Sequence, residues 1–107
     1  MSLPKRITRF VVIYDICVLD DSYEEYRSSA RRRAKVMRIL YDYGVRTQFS
    51  VFEVELRGSQ YSELINRINQ VIRETSDKVY IYPLDSGSVK KIIRLGKTAE
   101  VVSDFFL

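Results

Sequence analysis

The run Phe10-Val11-Val12-Ile13-Tyr14-Asp15-Ile16 constrains this chain more than any other. It reads as a β-strand, and a soluble strand so apolar is expected to be buried on both faces. A carboxylate at its end, Asp15, must then be paired, hydrated or metal-bound. A basic helix follows, carrying Arg31, Arg32, Arg33, Lys35 and Arg38, with Arg46 further on. That layout suits phosphodiesters: guanidinium groups grip the backbone and the carboxylate holds a divalent ion.

Composition narrows the chemistry. A chain of 107 residues is expected to form one domain, 1–107, with a thin core. The net charge of +4 permits a nucleic-acid partner without demanding one. Its distribution says more, because six cations and no acid lie between Arg27 and Arg38. There is no histidine, which removes the commonest general base and every Ser-His or Cys-His scheme. The single cysteine, Cys17, allows neither an intrachain disulfide nor structural zinc, and reads as a small buried or loop residue. Any metal must therefore be held by oxygen, which selects Mg2+ or Mn2+. No apolar run approaches the ~18 residues of a membrane span, and no separate apolar segment precedes the first strand. A cytoplasmic protein with no membrane partner is the expectation.

Periodicity supplies the elements. Ile7–Ile16 is the first strand, and Cys17–Glu25 a polar connection in which Asp21 or Ser22 caps the coming helix. The helix runs from about Tyr26 to Tyr43, buries Ala30, Ala34, Met37, Leu40, Tyr41 and Tyr43, and stops at Gly44 as a C′ residue. Val45–Leu56 reads as extended, with Phe52, Val54 and Leu56 on one face. Ser59 is a candidate cap for a second helix, whose stripe is Tyr61, Leu64, Ile65, Ile68 and Ile72 and whose end is near Glu74. Asp77–Asp85 is a further strand, and Pro83 places its end at an edge or bulge. Val89–Leu95 and Glu100–Phe106 are short extended candidates. This order favours a layered α/β fold with helices on one face of the sheet. The ferredoxin-like split βαβ arrangement fits if the chain reverses within Val45–Leu56, but no Gly, Asn or Pro there signals a turn. The apolar tail residues Val101, Val102, Phe105, Phe106 and Leu107 favour a homodimer in which the tail, about residues 85–107, docks on the partner.

These motifs resemble a known family. Tyr14-Asp15-Ile16 closes the first strand, Arg31-Arg32-Arg33-Ala34-Lys35-Val36 lies in the helix, and Gly44-Val45-Arg46-Thr47-Gln48-Phe49-Ser50-Val51-Phe52-Glu53 follows it. With Val79-Tyr80-Ile81-Tyr82-Pro83-Leu84 they resemble the small core subunit of the CRISPR adaptation machinery, partner of the CRISPR integrase. The resemblance covers about residues 7–84. It implies a ferredoxin-like βαββαβ fold with an extra C-terminal strand crossing to a homodimer partner. It implies two copies of Asp15 facing each other and sharing one Mg2+, and a metal-dependent endonuclease acting on RNA or DNA. It equally implies a scaffold that holds captured DNA beside the integrase without cleaving it. Tyr14, Ser50 and Phe52 enter as supporting residues of the motif. One departure is the longer connection after Ile16, whose Asp20, Asp21, Glu24 and Glu25 would gate the metal site or lengthen the helix.

Each candidate has a plainer reading. Asp15 can simply serve the turn after its strand. The arginine cluster can be a solvated helix face, although three consecutive arginines cannot share one face when neighbours lie about 100° apart. Phe52 alternates with Val54 as a core residue does, Ser50 lacks a base, and the eight tyrosines mostly have packing roles. A small-molecule-sensing module of the same fold, unrelated to nucleic acid, is the third class.

Overall fold

In the computed structural model, which describes residues 7–97, the first strand sets the frame. Strand β1 spans Ile7–Asp15. Phe10, Val12 and Tyr14 are buried, while Ile13 is 40% exposed and Asp15 faces solvent. Successive strand side chains point to opposite faces, so only one face of β1 meets the core. The expected burial of both faces is therefore corrected.

Helix α1 (Tyr23–Tyr41) follows, then β2 (Gly44–Gln48), β3 (Val51–Arg57), α2 (Gln60–Asn69), β4 (Lys78–Leu84) and the short α3 (Ser86–Lys90). The strands form one antiparallel sheet in the order β2-β3-β1-β4. That is the ferredoxin-like arrangement: β3 lies between β1 and β2, and β1 between β3 and β4. The core gathers Phe10, Val12 and Tyr14 from β1 with Val36, Ile39 and Leu40 of α1, Phe52, Val54 and Leu56 of β3, and Leu64 and Ile68 of α2. Both helices thus pack on one face of the sheet.

Helix α1 starts three residues before the expected Tyr26, because Ser22 caps it: its Oγ accepts from the Glu25 N–H at 3.1 Å. Its buried face is Ser29, Arg32, Val36, Ile39 and Leu40, rotated from the predicted one, and Tyr41 is exposed. Apolar spacing misplaced that face because a charged residue, Arg32, occupies a core position. The helix ends at Asp42, and Gly44 is not a left-handed cap: it opens β2 without a positive φ. A Cβ on Gly44 would lie 2.0 Å from the Glu53 carbonyl oxygen and 2.6 Å from the Val54 Cα. Glycine is required there by close strand approach.

The reversal that local sequence does not signal falls at Phe49-Ser50, beside a bulge between Arg46 and Gln48. Two donors of the distant Tyr14 and one of the nearby Arg46 close it. The Tyr14 N–H donates to the Ser50 carbonyl at 3.1 Å, the Tyr14 hydroxyl to the Phe49 carbonyl at 3.5 Å, and Arg46 Nε to the same carbonyl at 3.1 Å.

The second half departs less. Helix α2 ends at Asn69 rather than near Glu74; Leu64 and Ile68 are buried, and Ser59 makes no side-chain cap bond. Strand β4 is an edge strand, which accommodates Pro83 opposite Phe10. The stretch Val89–Leu95, expected to be extended, instead contributes to α3, capped by Asp85 through a 2.6 Å bond from the Ser88 N–H. Arg94 then holds Glu53 of the same chain through both terminal nitrogens, at 2.6 and 2.7 Å. The expected strand Glu100–Phe106 and the apolar tail lie outside the described residues.

Gly44→Ala should lower stability by about 1–3 kcal/mol, the usual cost of forcing atoms into a packed site. Urea unfolding followed by circular dichroism checks this; an unchanged midpoint would contradict the steric account.

Candidate functional site

Strand β1 delivers Asp15 to the open face of the sheet, the face without helices. Its cross-strand neighbour is Lys78 on β4, with Ile13 opposite Tyr80 and Val11 opposite Tyr82 alongside. Ile13, Tyr80 and Tyr82 are all exposed, so the carboxylate stands beside an uncovered apolar strip. The Asp15 side chain makes no hydrogen bond or ion pair among the described residues. It therefore does not cap its own turn; in the connection that follows, Asp20 accepts from the Ser22 N–H at 2.8 Å.

The backbone just after Asp15 is held by charges. Arg33 donates to the Ile16 carbonyl at 3.5 Å. Cys17 is gripped at both ends: its N–H donates to Asp77 Oδ1 at 3.1 Å, and its carbonyl accepts from Arg32 at 3.1 Å and Arg73 at 3.4 Å. Arg32 Nε pairs with Asp77 Oδ2 at 2.8 Å, and Arg73 chelates Glu25 at 2.5 and 2.9 Å. Burial opposes ionisation of Asp77, but the Arg73 N–H and the Arg32 guanidinium outweigh it and keep its carboxyl below the ordinary range. The Arg73 guanidinium, with the Leu19 N–H, holds the Glu25 carboxyl down to about 2. Glu25 thus ties down the long connection and the helix start. Glu24 and Glu25 lie in the first turn of α1 and so lengthen the helix, while Asp20 and Asp21 stay in the connection.

The predicted nucleic-acid contacts separate into three groups. Arg32 is buried in the ion pair with Asp77 and offers nothing to a ligand, which corrects its assignment. Its position was readable, since it shares a helical face with Ser29, Val36 and Ile39, but Asp77 is 45 residues away. Arg33 and Arg46 lie on the helix side of the sheet beside Tyr14, and Arg46 stacks 4.9 Å from the Phe49 ring centroid. Arg31, Lys35 and Arg38 are exposed on α1.

The supporting residues are structural. Phe52 is fully buried, with the Tyr41 ring edge-on at 4.9 Å, and Ser50 contributes its carbonyl to Tyr14. Tyr14 faces the core; burial raises its pKa despite Arg46 and Arg33 nearby, so it is no base at neutral pH. Sequence reasoning missed Glu25, Arg73 and Asp77.

The segment matched by the family model described as CRISPR associated protein Cas2 is residues 8–92. The chain belongs to the Cas2 family. A relative from Chloroflexus aurantiacus, named CRISPR-associated endoribonuclease Cas2 3, is 34% identical over 80% of this chain and 81% of its own length. One from Rhodospirillum rubrum, CRISPR-associated endoribonuclease Cas2 4, is 33% identical over 88% of this chain and 67% of its own. The crystal structure of Streptococcus pyogenes Cas2 superposes with a TM-score of 0.68 at 26% identity, covering 82% of this chain and 99% of that one. A hypothetical protein from Thermus thermophilus also reaches 0.68, at 29% identity, covering 88% and 96%.

Among the described residues no three His, Cys, Asp or Glu side chains are grouped to hold a metal ion, and no helix is long and apolar enough to cross a membrane. Within this Cas2 chain Asp15 is one hard, unpaired oxygen donor. That fits Mg2+, which takes one or two protein carboxylates and keeps several waters.

Two outcomes follow. Asp77→Ala should destabilise the fold by about 3 kcal/mol or more, because it strands the buried Arg32 charge; a urea midpoint within error of wild type would contradict this. Glu25, with its lowered pKa, stabilises the fold fully above its unfolded value of 4.5, and that contribution is lost as pH falls toward about 2. Glu25→Gln should therefore lose stability at pH 7 and show a shallower fall between pH 4.5 and 2.5, measured by unfolding at each pH.

Proposed function

We propose that this protein acts in CRISPR adaptation as a homodimer that binds nucleic acid beside the CRISPR integrase. We further propose that paired Asp15 carboxylates hold one Mg2+ or Mn2+ and support phosphodiester cleavage. The observation that carries this reading is Asp15 itself: exposed, unpaired, and beside the apolar strip of Ile13, Tyr80 and Tyr82. A second copy on that open face would cover the strip and bring a second Asp15 toward the first. The names of the relatives, endoribonucleases of the Cas2 family, support the reaction class.

A bound divalent ion supplies positive charge against a phosphoryl oxygen and lowers the pKa of water. The chain's own part is to present Asp15 rigidly. The charges that grip Ile16 and Cys17 fix the direction in which the backbone leaves β1, and therefore where the carboxylate points. With no histidine in the chain and Tyr14 facing the core, no obvious general base stands beside Asp15.

Asp15→Ala should reduce divalent-dependent cleavage of RNA or DNA at least a hundredfold, more than the loss of an outer-shell partner typically costs. The dimer should survive, as read by light scattering. Unchanged cleavage by rigorously purified Asp15→Ala would refute the catalytic role.

A second reading, a DNA scaffold that does not cleave, is favoured by the lone carboxylate per chain and by exposed cations remote from it. Spacer acquisition in cells carrying Asp15→Ala decides between them: survival selects the scaffold, loss selects the nuclease.

A further inference from the structure

The chain divides its own open sheet face. Arg9, Val11, Ile13 and Asp15 of β1 point to that face, each in a row with neighbours on β3 or β4. At one end stand two ion pairs, Arg9–Glu55 and Arg94–Glu53. At the other end stand Ile13 and Tyr80 in one row and Asp15 and Lys78 in the next. Glu53 lies in the row of Val11 and is 6% exposed, so its charge is answered by Arg94 rather than by water.

Arg94 arrives from the opposite edge. Strand β4 ends at Leu84 and α3 at Lys90, and residues 91–97 then return over the sheet. Strand β1 lies between β4 and β3, so a bond from this segment to Glu53 spans two strand spacings, about 10 Å, across β1. Ile93 and Leu95 flank Arg94 and are 80% and 87% exposed: Arg94 points to the sheet and its neighbours point away. Among the described residues, the two bonds from Arg94 to Glu53 are the hydrogen bonds that tie this segment to the sheet. The tie sits in the row of Val11, about 13 Å along β1 from Asp15.

We propose that the Arg94–Glu53 pair is a latch that sets the register in which two copies of this chain meet. It holds residues 91–97 across one half of the chain's own open face, so a second copy pairs through the other half, the one that carries Asp15. The inference rests on the dimeric Asp15 reading above and adds Glu53 and Arg94 as positioning residues that touch neither ion nor substrate. In a two-fold contact, residues near the axis meet their own copies. The uncovered Ile13, Tyr80 and Tyr82 place that axis close to Asp15. With the latch open the whole face is available, and the axis is free to slide toward Val11. Each residue of slide along β1 parts the two carboxylates by about 7 Å, twice the rise of a strand residue. A shared Mg2+ does not survive one such step, because its oxygen ligands must lie at about 2 Å.

The test reads how closely the two chains approach at position 15. In a Cys17→Ser background, Asp15→Cys reports that approach through the rate of disulfide formation between subunits on mild oxidation. Adding Arg94→Gln should slow the cross-link at least tenfold while light scattering still gives a dimer. In the chain that keeps Asp15, Arg94→Gln should weaken Mn2+ binding at least tenfold, and Arg94→Lys should recover part of it. Because Arg94→Gln leaves Glu53 buried without a cation, Glu53→Gln/Arg94→Gln, which removes both charges, is measured beside it and should behave alike. Glu53→Arg/Arg94→Glu on one chain should restore the cross-link. Chains carrying Glu53→Arg alone and Arg94→Glu alone, refolded together, should not. Recovery in that mixture would put the pair between subunits and overturn the proposal. A wild-type cross-linking rate in both latch variants, or loss of the dimer in both, would also overturn it. None of these results touches the reading of Asp15 in the wild-type dimer. A wild type that is monomeric would overturn both.

Discussion

The buried pair between Arg32 and Asp77 joins three parts of the chain that are far apart in sequence: α1, the residues just after β1, and the entry to β4. Two charges removed from water are stabilising only when their remaining hydrogen-bonding capacity is met. Here it is met densely. Asp77 accepts from the Cys17 and Arg73 N–H groups as well as from Arg32, and Arg32 also donates to Ser28 and the Cys17 carbonyl. No buried side-chain nitrogen or oxygen among the described residues lacks a partner. The pair therefore acts as a clasp where α1 and β4 meet the end of β1. It is also the reason the backbone beyond Asp15 has one course rather than several.

That clasp explains how a lone carboxylate can be exposed and yet defined in direction. Asp15 sits at the boundary between a core packed on one face of the sheet and an open face on the other. The open face is not uniformly apolar. Glu53 and Glu55 stand on it, each answered by an arginine of the same chain, Arg94 and Arg9. Its uncovered apolar part is confined to β1 and β4, next to Asp15. Positive charge, by contrast, collects on the opposite side, along α1. The molecule thus keeps an acidic point and a basic ridge on separate surfaces, although one long helix follows directly from the strand that carries the acid.

Several features were legible before any coordinates. The alternation of Phe52, Val54 and Leu56 and the edge position of Pro83 follow from periodicity and hold; of the stripe Tyr61, Leu64, Ile65, Ile68 and Ile72, Leu64 and Ile68 are buried, Tyr61 is exposed, and Ile72 lies beyond the helix. The angular argument that Arg31, Arg32 and Arg33 must diverge also holds: one faces solvent, one the core, one the Ile16 carbonyl. Three of the expectations that failed share a cause. The buried face of α1, the role of Gly44 and the turn at Phe49-Ser50 each depend on a partner distant in the chain: Asp77, the Glu53 carbonyl, and the donors of Tyr14. Periodicity registers polarity along one element and carries no information about a neighbour 45 residues away.

By itself, the sequence determined the first strand, the two long helices, the strand carrying Pro83, the absence of histidine chemistry and the candidacy of Asp15, because these depend on local pattern and on which residue types are present; the split of Val45–Leu56 into two strands and the short α3 did not follow from it. Only the tertiary structure decided which cations are free. A guanidinium on a helix looks the same in sequence whether it meets water or a buried carboxylate, and Arg31 and Arg32 differ only in what the fold places opposite them.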